Sequence, residues 1–374
     1  MLRSEHRVPI VLVSVLFLCA FGCSSTNSVG TNASQSGLSQ PLIVGYVANS
    51  QGNSITSFSI DQGSGHLEAL NTASTGSFPA SVALSIDQRV LFVSNALDGT
   101  ISTFTLDGKG GMIPTGPALH LTDSSGQPHR LLLAPSGRFL FVGSTANAIE
   151  VFSVDLVTGG LQAVPGSPFR VNSIATALAL THSGQFLYAF GDHADVIYCF
   201  SVDSNTGILT QLPASPIHTG VDPLAEQVDI YDKYLLVTTS DAQVLLVFNI
   251  HSDGSLGETA TSRVPLGNTG AVSLNFSPDN KLLFIVVLFA NNIRVFAFDS
   301  TTGLTTPVPG SPFHDGQVPS AIALTPNGKI LVVTRLNPGS MTTYQIDTSG
   351  GLSPISGSNI TTGSTPNDVV LAIK

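Results

Sequence analysis

Charge is what this sequence has least of. Asp, Glu, Lys and Arg make up 10% of its 374 residues, against roughly 25% in an average soluble protein. Apolar residues nevertheless reach 42%, which excludes the apolar-poor composition of a disordered chain. Thirty-six Gly and 22 Pro exclude a coiled coil, which needs long Ala/Glu/Lys/Leu-rich runs. The balance of 14 basic and 24 acidic residues, −10 overall, argues against nucleic acid or an anionic membrane surface as the main partner. Cysteine is limited to Cys19, Cys23 and Cys199. No Gly-rich phosphate cradle, nucleophile elbow or HExxH sequence is present. Asp192-His193-Ala194-Asp195 could ligate a cation, but no second His or Cys cluster stands at a recognised spacing. Neither a metal nor a cofactor is expected.

The first segment reads as an address. Arg3 and Arg7 precede an apolar run over residues 8–22, too short to span a bilayer comfortably. Charge followed by a short apolar run is the layout of an export signal. It ends in Ala20-Phe21-Gly22-Cys23-Ser24-Ser25, which resembles the bacterial lipoprotein signal, where the Cys becomes the lipid-bearing first residue. Residues 1–22 are therefore expected to be a signal peptide and Cys23 the lipidation site. Residues 23–41, nearly free of charge and apolar content, read as a flexible tether. Cys199 is then left without a disulfide partner. The expected location is the cell envelope, at the outer membrane if the host is Gram-negative, with the membrane reached through the lipid.

Residues 42–374 repeat. An aromatic falls at Phe58, Phe104, Phe152, Phe200, Phe248, Phe296 and Tyr344, with 46 residues between the first two and 48 between each later pair. Three positions on stand Asp61, Asp107, Asp155, Asp203, His251, Asp299 and Asp347, which read as turn caps. Each copy holds four short strand-like runs separated by turn formers such as Pro326-Asn327-Gly328-Lys329. Apolar residues on both faces of the third run require that each sheet be sandwiched by neighbours. Four-stranded units at this period predict an all-β, seven-bladed β-propeller of antiparallel blades, forming one domain. The C-terminal run PNDVVLAI predicts an innermost strand that the N-terminal runs complete into the last blade, removing open edges.

Tyr46-Val47-Ala48-Asn49 and Phe92-Val93-Ser94-Asn95 resemble the YVTN signature of bacterial propeller repeats. Pro165-Gly166-Ser167-Pro168-Phe169 and Pro309-Gly310-Ser311-Pro312-Phe313 are similar to segments of the lactonase-like seven-bladed propellers. That family includes the propeller type of 6-phosphogluconolactonase and a muconate-lactonising enzyme. The resemblance implies a site at the mouth of the central channel, built from His, Arg and Glu without a metal. Pro128-His129 fits the family's Pro-His pair. Gly143-Ser144-Thr145-Ala146-Asn147 stands where active members often carry Asp-Leu-Gly-x-Asp, and Ala175-Thr176-Ala177 replaces a Pro-Arg-His-like segment.

Lactone hydrolysis needs a base, a donor for the carbonyl oxygen and a cation. The nominated residues are His129 as base, Glu226 as carboxylate, and Arg130 or Arg335 as cation. A ligand-binding rim is expected from Asp192, His193, Asp195, Asp222, Asp241 and Asp368. Glu226 is distinctive by register, because the aligned copies carry Val82, Leu131, Leu178, Leu274, Ile322 and Val369. A carboxylate there lies in the channel or between blades, where burial raises its pKa or a cation pairs with it. The departures from the family motifs favour a monomeric binding module for a sugar-like ligand or an envelope protein. A lactonase acting outside the cytoplasm is the alternative, and a docking platform in an envelope complex the third reading.

Overall fold

A computed structural model describes residues 41–191, 195–240, 243–267 and 270–374; the proposed signal, Cys23 and most of the tether lie outside them. Seven antiparallel sheets, each built on a path of four strands, form the seven blades. Blade 1 begins with the inner strand Pro79–Leu84, and blades 2 to 6 with Pro128–Leu133, Ala177–Leu180, Pro223–Val228, Ala271–Phe276 and Pro319–Leu324. Blade 7 combines the C-terminal strand Pro366–Ile373 with Ile43–Asn49, Ser54–Ile60 and Leu67–Ser74. Its register runs from Ile43 opposite Ile373 to Asn49 opposite Pro366. Leu42 and Lys374 exchange both backbone hydrogen bonds at its end. The predicted closure is therefore observed.

The apolar content of the sequence goes into the gaps between blades. Among the described residues seven buried clusters occur, each joining two neighbouring blades. Strand periodicity decides which side chain serves which gap. From one strand, Val44, Tyr46 and Ala48 face blade 1 while Ile43 and Val47 face blade 6. All six residues of the second strand Val90–Asn95 are buried, and its first four are apolar without alternation because each face meets a neighbouring blade.

The repeated Asp residues do what their position implied. Asp155 accepts the backbone N–H groups of Val157 and Thr158 at 2.9 and 2.8 Å, and Asp203 those of Asn205 and Thr206 at 2.8 and 3.0 Å. The Ser of the Pro-Gly-Ser-Pro segments also has a structural task. The hydroxyls of Ser167 and Ser311 each accept a third-strand N–H at 3.0 Å, from Val151 and Val295. A feature absent from the sequence reading is a two-residue segment, such as Phe169–Arg170, that returns to the third strand in five blades.

Packing leaves no slack at Gly45, which pairs with Phe58. A Cβ there would lie 2.0 Å from the tip of the Phe58 ring. Gly45→Ala is expected to destabilise by about 1–3 kcal/mol through displacement of that ring. Urea unfolding would show the loss, and an unchanged midpoint would contradict the packing.

Candidate functional site at the channel mouth

All inner strands begin at one end of the ring, so the residues that open them surround one mouth of the central channel. The channel contains a cavity of about 750 Å³ walled by residues from all seven inner strands. Local structure then selects which side chains enter it. In blade 2, Pro128 pairs with Ser144 and Leu131 with Val142, leaving His129 and Arg130 together opposite Gly143. Such a bulge bends a strand and re-aims its side chains. Gly143 completes the arrangement, because a Cβ there would stand 2.4 Å from the carbonyl oxygen of Ala175. Both His129 and Arg130 line the cavity.

Arg130 donates its backbone N–H to Thr176 at 3.2 Å. Its guanidinium Nη1 lies 3.9 Å from Asp368 Oδ2, while Nε is buried without a hydrogen-bond partner. Glu226 sits on the inner strand of blade 4, beside Leu178 of the blade 3 inner strand, and is buried. Burial pushes its carboxyl up to about 8, against the opposing influence of Arg130 and a backbone hydrogen bond from Leu178. Most of the Glu226 population is thus protonated at pH 7 and can donate a hydrogen bond. A side pocket of about 200 Å³ also shares Arg130 and Glu226. Among the residues described, Arg130 is the only Lys or Arg in the wall of the main cavity.

Asp368 lines the same cavity, but its carboxylate fastens blade 7 to blade 1. It accepts from Ser81 Oγ at 2.9 Å and Val82 N at 3.0 Å, and from its neighbour Val369 N at 3.0 Å. Asp222, immediately before the inner strand of blade 4, accepts from the Ser240 hydroxyl at 2.7 Å. Asp195 lies exposed with its carboxylate 3.6 Å from His218 Nδ1. Asp192, His193 and Asp241 fall outside the described residues. No group of three or more potential metal ligands occurs among the described residues.

Arg335 requires a correction. It ends the second strand of blade 6, opposite Pro319, but it is not part of the cavity wall. Its Nε and Nη2 both lie 2.8 Å from the Asp315 carboxylate. Tyr344 donates its hydroxyl to the same carboxylate at 2.5 Å. The Arg335 and Asp315 side chains are 11% and 0% exposed, so this cation neutralises a buried charge instead of presenting itself to a ligand. Strand-end position alone places Arg335 on the rim with His129, and it does not specify the partner. The one clue was Tyr344, the single departure from Phe among the seven repeated aromatics, whose hydroxyl requires a buried partner.

Sequence reading also passed over Phe78 and Asn367, both in the cavity wall. Each adjoins the proline that opens an inner strand, and that adjacency was the available signal.

A closed ring of seven four-stranded blades with His, Arg and Glu facing one channel defines a propeller of the lactonase type. The family model described as "Lactonase, 7-bladed beta-propeller" matches residues 44–171, 161–273 and 265–371; the chain belongs to that family. It is 19% identical over 281 residues to a 6-phosphogluconolactonase of Pectobacterium carotovorum subsp. carotovorum (strain PC1), covering 72% of this chain and 81% of the relative. The periplasmic gluconolactonase of Pseudomonas aeruginosa superposes with a TM-score of 0.73 at 20% identity, covering 89% of this chain and 100% of that one. A protein from Lactobacillus plantarum gives a TM-score of 0.75 at 17% identity, again covering 89% and 100%. At such identities the structural likeness establishes the fold, and chemistry must be argued from the site.

Proposed function

We propose that the protein hydrolyses an uncharged sugar lactone outside the cytoplasm, in the channel cavity. The observation that carries this reading is the convergence of His129, Arg130 and Glu226 on one cavity, with Glu226 raised to about 8. The curated and structural relatives support lactone chemistry over the binding-module reading. His129 takes a proton from water as the water oxygen attacks the lactone carbonyl carbon. Arg130 and the protonated Glu226 face the oxygen that gains charge. The ring C–O bond then breaks, and the departing alkoxide takes the proton from the imidazolium. One water is consumed and a hydroxy acid leaves. Neither step requires a metal.

An uncharged substrate fits because Arg130 is the sole strong cation of the described wall and has Asp368 beside it. A phosphorylated lactone would bring a dianion with little to neutralise it. The expected export signal and the proposed lipid at Cys23 support a substrate of the cell envelope.

Proton release from D-glucono-1,5-lactone tests the reading. Wild type is expected to accelerate release above the spontaneous rate, and His129→Ala to lower kcat by about 100-fold or more. A His129→Ala variant with wild-type kcat would remove His129 from the mechanism. Ligand binding without acid release by wild type would return the protein to the class of binding modules.

A further inference from the structure

The segment just before the blade 1 inner strand carries an aromatic side chain on a left-handed backbone. Phe78 has φ +58°, a left-handed conformation that is a steric outlier for a bulky side chain. At the equivalent position blade 5 uses Gly270, with φ +83°, as that conformation favours, and blade 7 uses Thr365, with φ +58°; of these three residues only Phe78 carries an aromatic ring. Three side chains from elsewhere hold the strained segment in place. The N–H of Gly76 donates to Asn95 Oδ1 at 3.1 Å, that of Ser77 to Asp98 Oδ2 at 2.6 Å, and that of Phe78 to Asn53 Oδ1 at 2.9 Å. The Phe78 carbonyl is fixed as well, accepting from Ala96 N at 2.9 Å. Strain of this kind persists only where the surroundings over-determine it, and it concentrates at ligand sites.

Core packing does not account for the ring. Phe78 is half-buried and belongs to none of the seven inter-blade clusters. It lines the cavity instead, and among the described residues it is the only Phe, Tyr or Trp to do so. Asn367, which binds the Ala80 carbonyl through Nδ2 at 3.2 Å, has a buried Oδ1 with no hydrogen-bond partner. The mouth thus sets an aromatic surface beside Asn367 and Arg130, two cavity-lining side chains that each keep a buried polar atom without a partner. Ligand pockets commonly pair apolar walls with a few polar groups in this way.

We infer that Phe78 is a substrate-binding and specificity residue, whose ring takes the apolar face of a six-membered sugar lactone while Asn367 and Arg130 address its polar edge. This deepens the lactonase reading and rests on it. Phe78 contacts substrate without joining the proton transfers, so its removal acts mainly on KM.

The test uses D-glucono-1,5-lactone, its non-opening lactam analogue, and the variants Phe78→Gly and Phe78→Trp. Phe78→Gly relieves the backbone strain while deleting the ring. It is expected to melt no lower than wild type, to raise KM about tenfold, and to leave kcat within about threefold. Phe78→Trp retains an aromatic face and is expected to keep KM within about threefold. The chain has no other Trp, so its indole emission reports lactam binding directly. An unchanged KM in Phe78→Gly overturns the inference while leaving the lactonase reading intact. Absence of turnover in wild type overturns the lactonase reading. The indole signal then decides the ring contact alone: a saturable shift with lactam upholds it, and no shift removes it.

Discussion

Between pH 5 and pH 8 the wild-type protein loses stability, and Glu226→Gln does not. The carboxyl of Glu226 is raised from 4.5 to about 8 by burial. In the unfolded chain it ionises near its ordinary value, so across this window the native state holds a proton that the unfolded state has released. Native stability therefore falls as pH rises from about 4.5 and levels off above about 8. At 1.36 kcal/mol per pKa unit the full span is on the order of 4–5 kcal/mol. Glutamine has nearly the same shape, remains neutral and keeps an acceptor for the Leu178 N–H. The variant should match wild type at pH 4.5 and exceed it at pH 9, as measured by urea midpoints.

The turn aspartates act in the opposite direction and at lower pH. Asp155, Asp203 and Asp347 are held below their ordinary value by hydrogen bonds from neighbouring residues. Their contribution is complete above the ordinary Asp value and is lost as pH falls through their lowered folded values. They therefore leave the Glu226 window clear. A pH slope shared equally by wild type and Glu226→Gln would show that Glu226 is solvated in the channel rather than buried.

Breaking the Arg335–Asp315 pair is expected to have an effect of similar size. Arg335→Met leaves a carboxylate with 0% side-chain exposure facing only the Tyr344 hydroxyl, a loss of about 3–5 kcal/mol. Combining it with Asp315→Leu should recover most of that loss, because a buried pair replaced as a unit by apolar residues is close to neutral. Tyr344 then keeps an unpaired hydroxyl, so recovery becomes fuller when Tyr344→Phe is added. At temperatures where the variant is folded, the KM for lactone should match wild type, since Arg335 does not reach the cavity. A loss under about 1 kcal/mol, or a raised KM, would restore Arg335 to the ligand-binding set.

These two groups mark the limit of what could be read directly from the residues. The ring of seven blades was legible because register repeats: the aromatic, the turn Asp and the strand runs recur together, and packing between identical neighbours demands that they do. Glu226 was legible for the related reason that six aligned positions are apolar. Arg335 was misplaced because strand-end position fixes the face of the propeller on which a side chain emerges, but not its partner. That partner, Asp315, lies 20 residues away at a position where other blades carry Leu121, Val171, Thr219 and Thr362, so no recurring acid announces it. The approach of His129 and Arg130 to the channel depends on a bulge opposite Gly143, and a one-residue slip in pairing leaves no mark on composition or period. Phe78 was invisible for a similar reason, since its backbone conformation is imposed by Asn53 in one turn and by Asn95 and Asp98 at and just after the end of the strand Val90–Asn95.

The most direct measurement of the central claim is a crystal structure with D-glucono-1,5-lactam bound. The lactam is expected in the channel cavity, its carbonyl oxygen within hydrogen-bond reach of Arg130 and Glu226, and His129 on the side from which water would attack. A lactam seated on an outer blade surface, with the channel mouth holding only solvent at saturating ligand, would contradict it.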